Sequence, residues 1–343
     1  MSAKNVLVTG GCGFIGSCFI RMLHTRDPSA QIVNLDLLTY AGNLENLSEL
    51  HDSPRYTWVQ GDVRDEASVE SLMGGVDQVV HFAAESHVDR STAAKAGAFV
   101  DTNVYGTFVL LDAMRRLAPE ARFLQIGTDE VYGDVASPQM PAEDSLLRPS
   151  SPYSASKAGA DHVALSFSRT HDLDVIVSRC TNNYGPFQYP EKLIPLFVTN
   201  ALDSLPLPLY DGGGQIRDWL RVEDHCEALL LILEKGQSGE IYNVGANQDP
   251  ERTNLEITEM ILAATGAPDS LIEHRHGLRP GHDQRYAVST EKIRNLGWRP
   301  RQNIEQGIAE TVRWYAERRD WWERIKSGAY REFYESHYGK PGA

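Results

Sequence analysis

Two side chains near the middle of the sequence could together remove a proton from a hydroxyl group. Tyr153 and Lys157 are four positions apart, and on a helix this spacing puts both side chains on one face. A free tyrosine has a pKa of about 10, too high for a base at neutral pH, but a neighbouring ammonium favours the phenolate. Such a pair can take the proton of an alcohol while hydride leaves for an acceptor. The spacing therefore predicts a site that oxidises an alcohol.

Two adjacent carboxylates precede this pair. Asp129 and Glu130 follow an apolar stretch, 122–126, which we interpret as a strand. Carboxylates confined in one site push each other's proton affinities apart, so one can stay protonated as an acid while the other acts as a base. On a generic loop the same pair would be a solvated turn. Because the carboxyl ends of strands face the ligand crevice in a doubly wound sheet, we predict an acid and a base here.

A glycine-rich turn near the start of the chain indicates what accepts the hydride. Gly10, Gly13 and Gly16 follow a short apolar run and open a helical pattern. Glycines let the backbone approach a pyrophosphate, and the following helix offers free N–H groups at its N-terminus. Asp36, at the end of the next predicted strand, suits the adenosine ribose hydroxyls and would repel a 2′-phosphate. The pattern therefore favours NAD over NADP.

These residues need a scaffold that brings them to one edge. In the first half of the chain, short apolar runs alternate with stretches of helical length such as 101–117. This alternation predicts βαβ units and a doubly wound parallel sheet, an α/β Rossmann fold buried on both faces. Asp62 and Val63, just past the third predicted strand, could flank the adenine ring or form only a surface turn. The predicted strands are 6–9, 31–36, 56–59, 78–82, 122–126 and 175–177.

The sequence changes character near residue 180. From there to residue 214 it is rich in Pro, Asn and Tyr, and helical and short extended patterns then mix irregularly. We interpret 1–180 as an NAD-binding Rossmann domain, to which later segments, roughly 215–245, return. Residues 181–343 would form mainly a smaller substrate-binding lobe. The aromatic tail around Trp321 and Trp322 predicts a packed terminal helix.

The composition argues against several classes of function. The formal net charge is −14, which opposes binding to nucleic acid. No apolar run approaches the roughly 20 residues that cross a bilayer, and the start does not have the form of a signal peptide. The cysteines lack CxxC spacing, which predicts reduced thiols in a cytoplasmic protein. His274 and His276 have no second pair of ligands, so no metal site is predicted.

Several of these motifs resemble those of a known family. The glycine turn at 9–16, the run 82–89, and Tyr153 with Lys157 are similar to the extended short-chain dehydrogenase/reductases. Within that family the chain resembles the dTDP-glucose 4,6-dehydratases over essentially its whole length. Cys12 departs from the small residue, such as alanine, expected in the turn, but its volume is also small. The runs that carry the closer resemblance are 128–133, 179–186, 215–220 and 279–283.

The resemblance implies a role for each catalytic residue. Tyr153 would be the base for oxidation at sugar C4, assisted by Thr128 and Lys157. Glu130 would then remove the C5 proton while Asp129 protonates the departing C6 hydroxyl. NADH would return hydride to C6, giving a 4-keto-6-deoxy sugar and water and leaving NAD unchanged. The order is chemically necessary, because a ketone at C4 acidifies the C5–H bond.

The resemblance also implies which residues surround the ligands. A basic island that includes Arg275 and Arg285 could add phosphate donors or be a solvated face. Besides Tyr153 and Lys157, the residues expected around NAD are Gly10, Gly13, Phe14, Ile15, Gly16, Asp36, Thr39, Asp62, Val63, Phe82, Ala83, Ala84, Ser86, Thr102 and Asn183. Besides Thr128, Asp129 and Glu130, those expected around dTDP-glucose are Ser86, Asn182, Lys192, Leu193, Pro208, Tyr210, Arg217, Asn254, Arg279 and His282.

Three alternatives stay open at this point. A UDP-sugar 4-epimerase or a nucleotide-sugar decarboxylase would share the glycine turn and the Tyr–Lys pair, but neither needs Asp129 and Glu130 to eliminate water. A UDP-glucose 4,6-dehydratase would share all of these. A non-catalytic NAD-binding regulator could dispense with Tyr153 or Lys157. The resemblance further implies a homodimer formed by helices containing roughly 101–117 and 151–170.

Overall fold

The computed structural model describes residues 4–87, 96–277 and 283–327. Seven parallel strands form its central sheet, in the order β11-β6-β5-β4-β1-β2-β3, and six shorter strands pair outside it. The strands are β1 (Asn5–Thr9), β2 (Gln31–Asp36), β3 (Tyr56–Gln60), β4 (Gln78–His81), β5 (Arg122–Thr128), β6 (Asp174–Cys180), β7 (Asn183–Tyr184), β8 (Leu207–Tyr210), β9 (Ile216–Arg217), β10 (Leu220–Arg221), β11 (Ile241–Val244), β12 (Arg252–Thr253) and β13 (Ile272–Arg275).

Helices cover both faces of this sheet. A π-helical stretch, Val100–Tyr105, leads into the third of them, and a 3₁₀ turn, Asp129–Tyr132, follows β5. The α-helices of five residues or more are α1 (Phe14–Arg26), α2 (Glu66–Met73), α3 (Gly106–Leu117), α4 (Pro152–His171), α5 (Leu193–Leu202), α6 (Val222–Lys235), α7 (Asn254–Thr265), α8 (Glu291–Asn295), α9 (Ile304–Glu317) and α10 (Arg319–Ile325). None of the helices that the structure describes is long and apolar enough to span a membrane.

The inner strands are mostly apolar because they pack against a core on each face of the sheet. In β1, Val6 and Val8 enter the core formed with α1 and α6, whereas Leu7 between them enters the core formed with α2, α3 and α4. Successive side chains of a strand point to opposite faces, so a strand buried on both faces needs apolar residues at every position. The doubly wound parallel sheet predicted from the sequence is therefore confirmed.

The order of the strands determines where a ligand can bind. From β1 the chain proceeds outward through β2 and β3, and it then returns to place β4, β5 and β6 on the other side of β1. The connections on the two sides of this point diverge, which leaves a crevice at the carboxyl ends of β1 and β4. The glycine turn follows β1 and the carboxylate pair follows β5, so both lie at this edge.

The six strands predicted for the first half are all present, each within three residues of the expected bounds. The seventh, β11, was not predicted as a strand. It comes after a long excursion of the chain and pairs with β6, through Ile241 opposite Val177 and Val244 opposite Cys180. A third core lies outside the sheet, where α5, α7, α9 and α10 pack together and bury Tyr315, Trp321 and Trp322. The predicted packing of the aromatic tail is confirmed.

Candidate active site

The glycine turn holds its shape by close backbone approach. Gly10 has φ +71°, and a Cβ on it would lie 2.5 Å from the backbone nitrogen of Ala83. Helix α1 begins at Phe14, with Gly13 as an N-cap that provides no side-chain hydrogen bond. The first N–H groups of α1 have no partner within the helix and carry the positive end of its dipole, which suits a pyrophosphate.

The segment after β2 fixes this turn from outside. The carbonyl of Cys12 accepts hydrogen bonds from the backbone of Asn43 at 3.0 Å and from Nδ2 of Asn46 at 2.9 Å. Oδ1 of Asn46 in turn accepts from the indole N–H of Trp321, on the last described helix, at 3.1 Å. Two hydrogen bonds through Asn46 therefore connect the glycine turn to α10.

Asp36 stands at the carboxyl end of β2, beside the turn. Its Oδ2 accepts from the backbone of Cys12 at 2.8 Å and its Oδ1 from the backbone of Leu38 at 2.8 Å. Each carboxylate oxygen keeps a further lone pair for a ribose hydroxyl. The other acidic candidate, Asp62, forms an ion pair instead. Nε and Nη2 of Arg64 both donate hydrogen bonds to its carboxylate.

A cavity of about 430 Å³ extends from Asp36 to Lys157 along the crevice. Its walls have the features that a dinucleotide requires: a glycine turn, a helix N-terminus, a ribose carboxylate and a Tyr–Lys pair. All the residues that the sequence predicts around NAD line it, so they fit the cofactor. They are Gly10, Gly13, Phe14, Ile15, Gly16, Asp36, Thr39, Asp62, Val63, Phe82, Ala83, Ala84, Ser86, Thr102, Tyr153, Lys157 and Asn183.

Tyr153 and Lys157 lie on one face of α4, which starts with a capping box between Ser151 and Ser154. Lys157 donates from Nζ to the carbonyl of Ile126 in β5 at 2.5 Å. Both side chains are buried. Burial raises the pKa of Tyr153 well above its ordinary value, and the charge of Glu130 adds to the rise. Burial lowers the pKa of Lys157.

The carboxylate pair forms the 3₁₀ turn directly after β5. Thr128 caps this turn by accepting from the backbone of Glu130 at 3.3 Å, and its hydroxyl donates to Asp129 at 3.3 Å. Asp129 is buried, whereas Glu130 is partly exposed to the cavity. Burial raises the pKa of Asp129 well above its ordinary value, and the charge of Glu130 raises it further. Both effects favour the protonated form of Asp129, which is the form that the family resemblance implies for the acid of the pair.

A second cavity, of about 170 Å³, adjoins the first and shares Glu130, Asn182 and Lys192 with it. Arg217 lines it with its guanidinium over the ring of Tyr286, at 4.1 Å from the ring centroid. The predicted substrate residues that line one or both cavities are Ser86, Thr128, Asp129, Glu130, Asn182, Lys192, Leu193, Pro208, Tyr210, Arg217 and Asn254. Arg279 and His282 lie outside the described residues.

Two arginines of the basic island pair with carboxylates of the protein. Arg285 is buried and donates to Glu251, with Nε–Oε1 at 2.8 Å, and to the carbonyl of Gln139 at 2.8 Å. Arg275 pairs with Glu273 at 2.9 Å on β13. These two side chains hold structure together, because each faces a carboxylate of the protein itself.

The sequence prediction missed two buried residues of the second cavity. His87 and Glu191 line it, with Nε2 of the imidazole 4.0 Å from the carboxylate. Both belong to runs that contain predicted residues, namely Ser86 and Lys192, but charge and spacing alone do not reveal burial. Arg64 was also missed; it lines the first cavity beside Asp62.

A larger concavity, of about 550 Å³, lies elsewhere and contains none of the predicted residues. Its lining includes Lys4, just before β1, and Gln78, at the start of β4, so it lies at the amino ends of the strands. Ligands of doubly wound sheets bind at the carboxyl ends. Among the described residues, no group of three or more His, Cys, Asp or Glu side chains is arranged to hold a metal ion.

Comparison with known proteins agrees with this geometry. Residues 7–311 match the sequence family described as GDP-mannose 4,6 dehydratase. A dTDP-glucose 4,6-dehydratase from an Actinoplanes species is 51% identical, over 92% of this chain and 99% of the relative. The crystal structure of a dTDP-glucose 4,6-dehydratase from Streptomyces venezuelae with NAD bound has a TM-score of 0.90 and 48% identity, covering 94% of this chain and 100% of that one.

A neighbour with a different reaction shares the fold. The structure of a UDP-glucose 4-epimerase from Thermus thermophilus with NAD has a TM-score of 0.83 and 30% identity, covering 92% of this chain and 100% of that one. The fold and the NAD site are therefore common to several reactions, and the residues beyond them must separate one reaction from another.

The position of Asp36 generates a prediction about cofactor choice. Asp36→Asn should reduce the preference for NAD over NADP by about tenfold, equivalent to about 1.4 kcal/mol, because the charge that repels a 2′-phosphate is lost. Titration of apo-protein with each dinucleotide, followed by fluorescence, measures both affinities. Asp65→Asn, an exposed helix cap outside the cavity, is the control. An unchanged preference in Asp36→Asn would show that Asp36 does not face the ribose.

Proposed function

This chain belongs to the GDP-mannose 4,6 dehydratase family, and within it we propose an NAD-dependent dTDP-glucose 4,6-dehydratase that forms dTDP-4-keto-6-deoxyglucose and water. NAD fits the cavity along the crevice, and the nucleotide sugar would occupy the adjoining one. The proposal assigns each part of the reaction to side chains described above.

The burial of Asp129 beside Glu130, in the turn at the end of β5, carries the proposal. Oxidation at C4 requires only the Tyr–Lys pair and the cofactor, so an epimerase or a decarboxylase can work without an acid at the end of β5. Expulsion of the C6 hydroxyl as water requires a proton donor. Asp129 is buried beside the ionisable Glu130, and both causes raise its pKa. This arrangement favours dehydration over epimerisation and decarboxylation.

Tyr153 acts as the base in the first step. Tyr153 and Thr128 line the same cavity, so the two hydroxyl groups would hold the C4 hydroxyl of the sugar between them. Lys157 favours the phenolate by its charge. When bound, NAD supplies the hydride acceptor and later the hydride donor, and its oxidised ring brings a positive charge that opposes the raised pKa of Tyr153.

Glu130 and Asp129 carry out the elimination. Glu130, the more exposed of the two, removes the C5 proton once the C4 ketone has acidified that bond. Asp129 donates its proton to the C6 oxygen, which departs as water. The cavity wall excludes solvent from Asp129, because that side chain is buried. The proton on Asp129 is thereby kept for the leaving group.

Charged and polar residues of the second cavity would hold the nucleotide part. Arg217 and Lys192 offer donors to the diphosphate, and Lys192 already donates to the carbonyl of Ser86 at 3.0 Å. Pro208 and Tyr210, on β8, would contact the base, and Asn254 would complete the pocket. We also propose that Arg279 and His282 contribute there, as the family resemblance implies.

The division of labour between the two carboxylates can be tested in D₂O. In Asp129→Asn, Glu130 still removes the C5 proton, so recovered dTDP-glucose should carry deuterium at C5 although product formation falls by about 10²–10⁴-fold. In Glu130→Gln, product formation should fall by a similar factor and C5 should keep its hydrogen. Mass spectrometry of recovered substrate and product measures both quantities.

Glu143→Gln serves as the control, because its carboxylate accepts from the backbone of Asn243 and lines neither cavity. It should form product at close to the wild-type rate. Normal product formation by both Asp129→Asn and Glu130→Gln would contradict the assignment and reopen the epimerase alternative. Wild-type protein that converts UDP-glucose but not dTDP-glucose would correct the nucleotide alone.

We further propose that two copies associate in the cytoplasm through α3 and α4. On the helical run 100–117, Val100, Tyr105 and Phe108 are 54%, 43% and 41% exposed. Phe108 also contacts Phe167 of α4 edge-on, with ring centroids 6.0 Å apart. A second copy of this surface would remove these apolar side chains from water.

Phe108→Arg should therefore convert the dimer into a monomer at micromolar concentration, because it places a charge in the centre of this apolar surface. Sedimentation velocity measures the mass in solution. Leu146→Arg, at an exposed position outside these helices, is the control and should remain dimeric. A dimer that persists in Phe108→Arg, or a monomeric wild type, would contradict the proposed interface.

A further inference from the structure

A buried ion pair lies behind the catalytic side chains and takes no part in the proposed steps. Asp161 is on α4, one turn after Lys157, and Arg179 is on β6. Arg179 Nε donates to Asp161 Oδ2 at 2.9 Å, and the two side chains are 2% and 0% exposed. Burying two charges is costly, and well-packed apolar residues often stabilise a fold as well as such a pair does. The pair therefore requires a further explanation.

One end of the pair faces Lys157 and the end of β5. A Cβ on Gly127 would lie 3.0 Å from Oδ1 of Asp161, so β5 passes against this carboxylate immediately before Thr128. The negative charge of Asp161 opposes the effect of burial on Lys157, because burial lowers the pKa of the lysine and Asp161 raises it.

The other ionisable groups near Lys157 are neutral at pH 7. On β6, burial raises the pKa of Cys180 to about 12. On β4, burial lowers the pKa of His81 to about 3, with the charge of Lys157 contributing. On β5, the carbonyl oxygen of Ile126, which does not titrate, accepts a hydrogen bond from Nζ of Lys157. Burial raises the pKa of Asp161 as well, but the Arg179 guanidinium hydrogen-bonded to it opposes that rise. Among the described residues, Asp161 is thus the carboxylate whose charge favours the ammonium.

The other end of the pair reaches the acid–base turn. Arg179 Nη1 donates to the hydroxyl of Tyr132 at 2.9 Å, and its guanidinium carbon lies 5.1 Å from the ring centroid. That hydroxyl donates to Asn243 on β11 at 2.9 Å. Tyr132 is the last residue of the turn that carries Asp129 and Glu130.

We propose that Asp161 and Arg179 are positioning residues that connect the two halves of the reaction. Asp161 keeps the Lys157 ammonium charged beside Tyr153, and Arg179 fixes, through Tyr132, the turn that carries Asp129 and Glu130. This inference rests on the proposed dehydratase function. The residues act through others, since neither lines the cavities that hold the ligands.

The proposed effect of the Asp161 charge on Lys157 predicts a change in the pH dependence of the reaction rate. In Asp161→Asn the pKa of Lys157 falls further, and Arg179 becomes an unpaired cation nearby. The single-turnover rate of keto-sugar formation declines at alkaline pH, and this decline should begin about one pH unit lower than in the wild type. At pH 8 the rate of the variant should be about tenfold below that of the wild type. The double variant Asp161→Asn, Arg179→Gln removes both charges and should recover part of the pH shift.

Asp174→Asn is the matched control. Asp174, on the same strand as Arg179, pairs with Arg122 of β5 at 2.7 Å, but at the amino ends of these strands. Its pH–rate profile should equal that of the wild type, so a shift confined to Asp161→Asn cannot come from weakening the sheet.

Tyr132→Phe tests the positioning of the turn without changing any charge. It removes the hydroxyl that Arg179 and Asn243 share, and it should slow C5 deuterium exchange by about tenfold. The pH at which the rate declines should stay unchanged in Tyr132→Phe. This result distinguishes the effect of the turn from the electrostatic effect of Asp161, which shifts that pH. Thermal melts of all variants establish that each is folded.

The outcomes separate this inference from the function on which it rests. A wild type that makes no keto-sugar would overturn the proposed function. An active wild type, with a folded Asp161→Asn that keeps the wild-type pH profile, would overturn the role of Asp161. If Asp161→Asn does not fold, the double variant decides: wild-type rate and profile overturn the proposal, and a slower rate with a shifted profile supports it. If C5 deuterium exchange in Tyr132→Phe is as fast as in the wild type, the proposed role of Arg179 is wrong.

Discussion

Desolvation of ionisable groups at the carboxyl edge of the sheet determines how this cleft works. Water is excluded from Asp129, Tyr153 and Lys157, and each pKa moves toward the value that favours the neutral form. For Asp129 the direction serves the chemistry directly, since an acid must keep its proton. For Tyr153 and Lys157 the direction opposes the chemistry, because a base needs the phenolate and the phenolate needs a cation. The protein and its cofactor must therefore supply compensating charge beside Tyr153 and Lys157.

The parallel sheet makes this arrangement possible. The strands are largely apolar along their length, and β5 ends in Thr128, followed at once by Asp129 and Glu130. The end of β5 presents Thr128 and the two carboxylates on one side of the crevice. Helix α4, which crosses back beside β5 and β6, presents Tyr153 and Lys157 on the other side. The topology of the sheet thus brings a carboxylate pair and a Tyr–Lys pair, which titrate differently, to one cavity.

The sequence predicted the sheet and most of the cavity wall for clear physical reasons. A glycine turn between a strand and a helix has few alternatives, since Gly10 adopts a positive φ against the backbone of Ala83. A helical spacing of four residues places Tyr153 and Lys157 together without reference to the rest of the chain. The pairing of His87 with Glu191, and that of Arg285 with Glu251, depend on contacts between distant segments. Local pattern contains no record of such contacts, so the sequence left open whether Arg285 donates to a phosphate or lies on a solvated face, and β11 was not identified.

The link from Cys12 through Asn46 to Trp321 has a consequence for how the molecule is made. The nucleotide turn is synthesised well before α10, yet α10 provides one of the hydrogen bonds that hold Asn46 beside the turn. Contacts between residues so far apart in the chain form late, because the entropy of closing a long loop must be overcome first. A nascent chain thus carries the glycine sequence well before it has the finished pocket, and the ability to retain a dinucleotide depends on a helix that is synthesised much later.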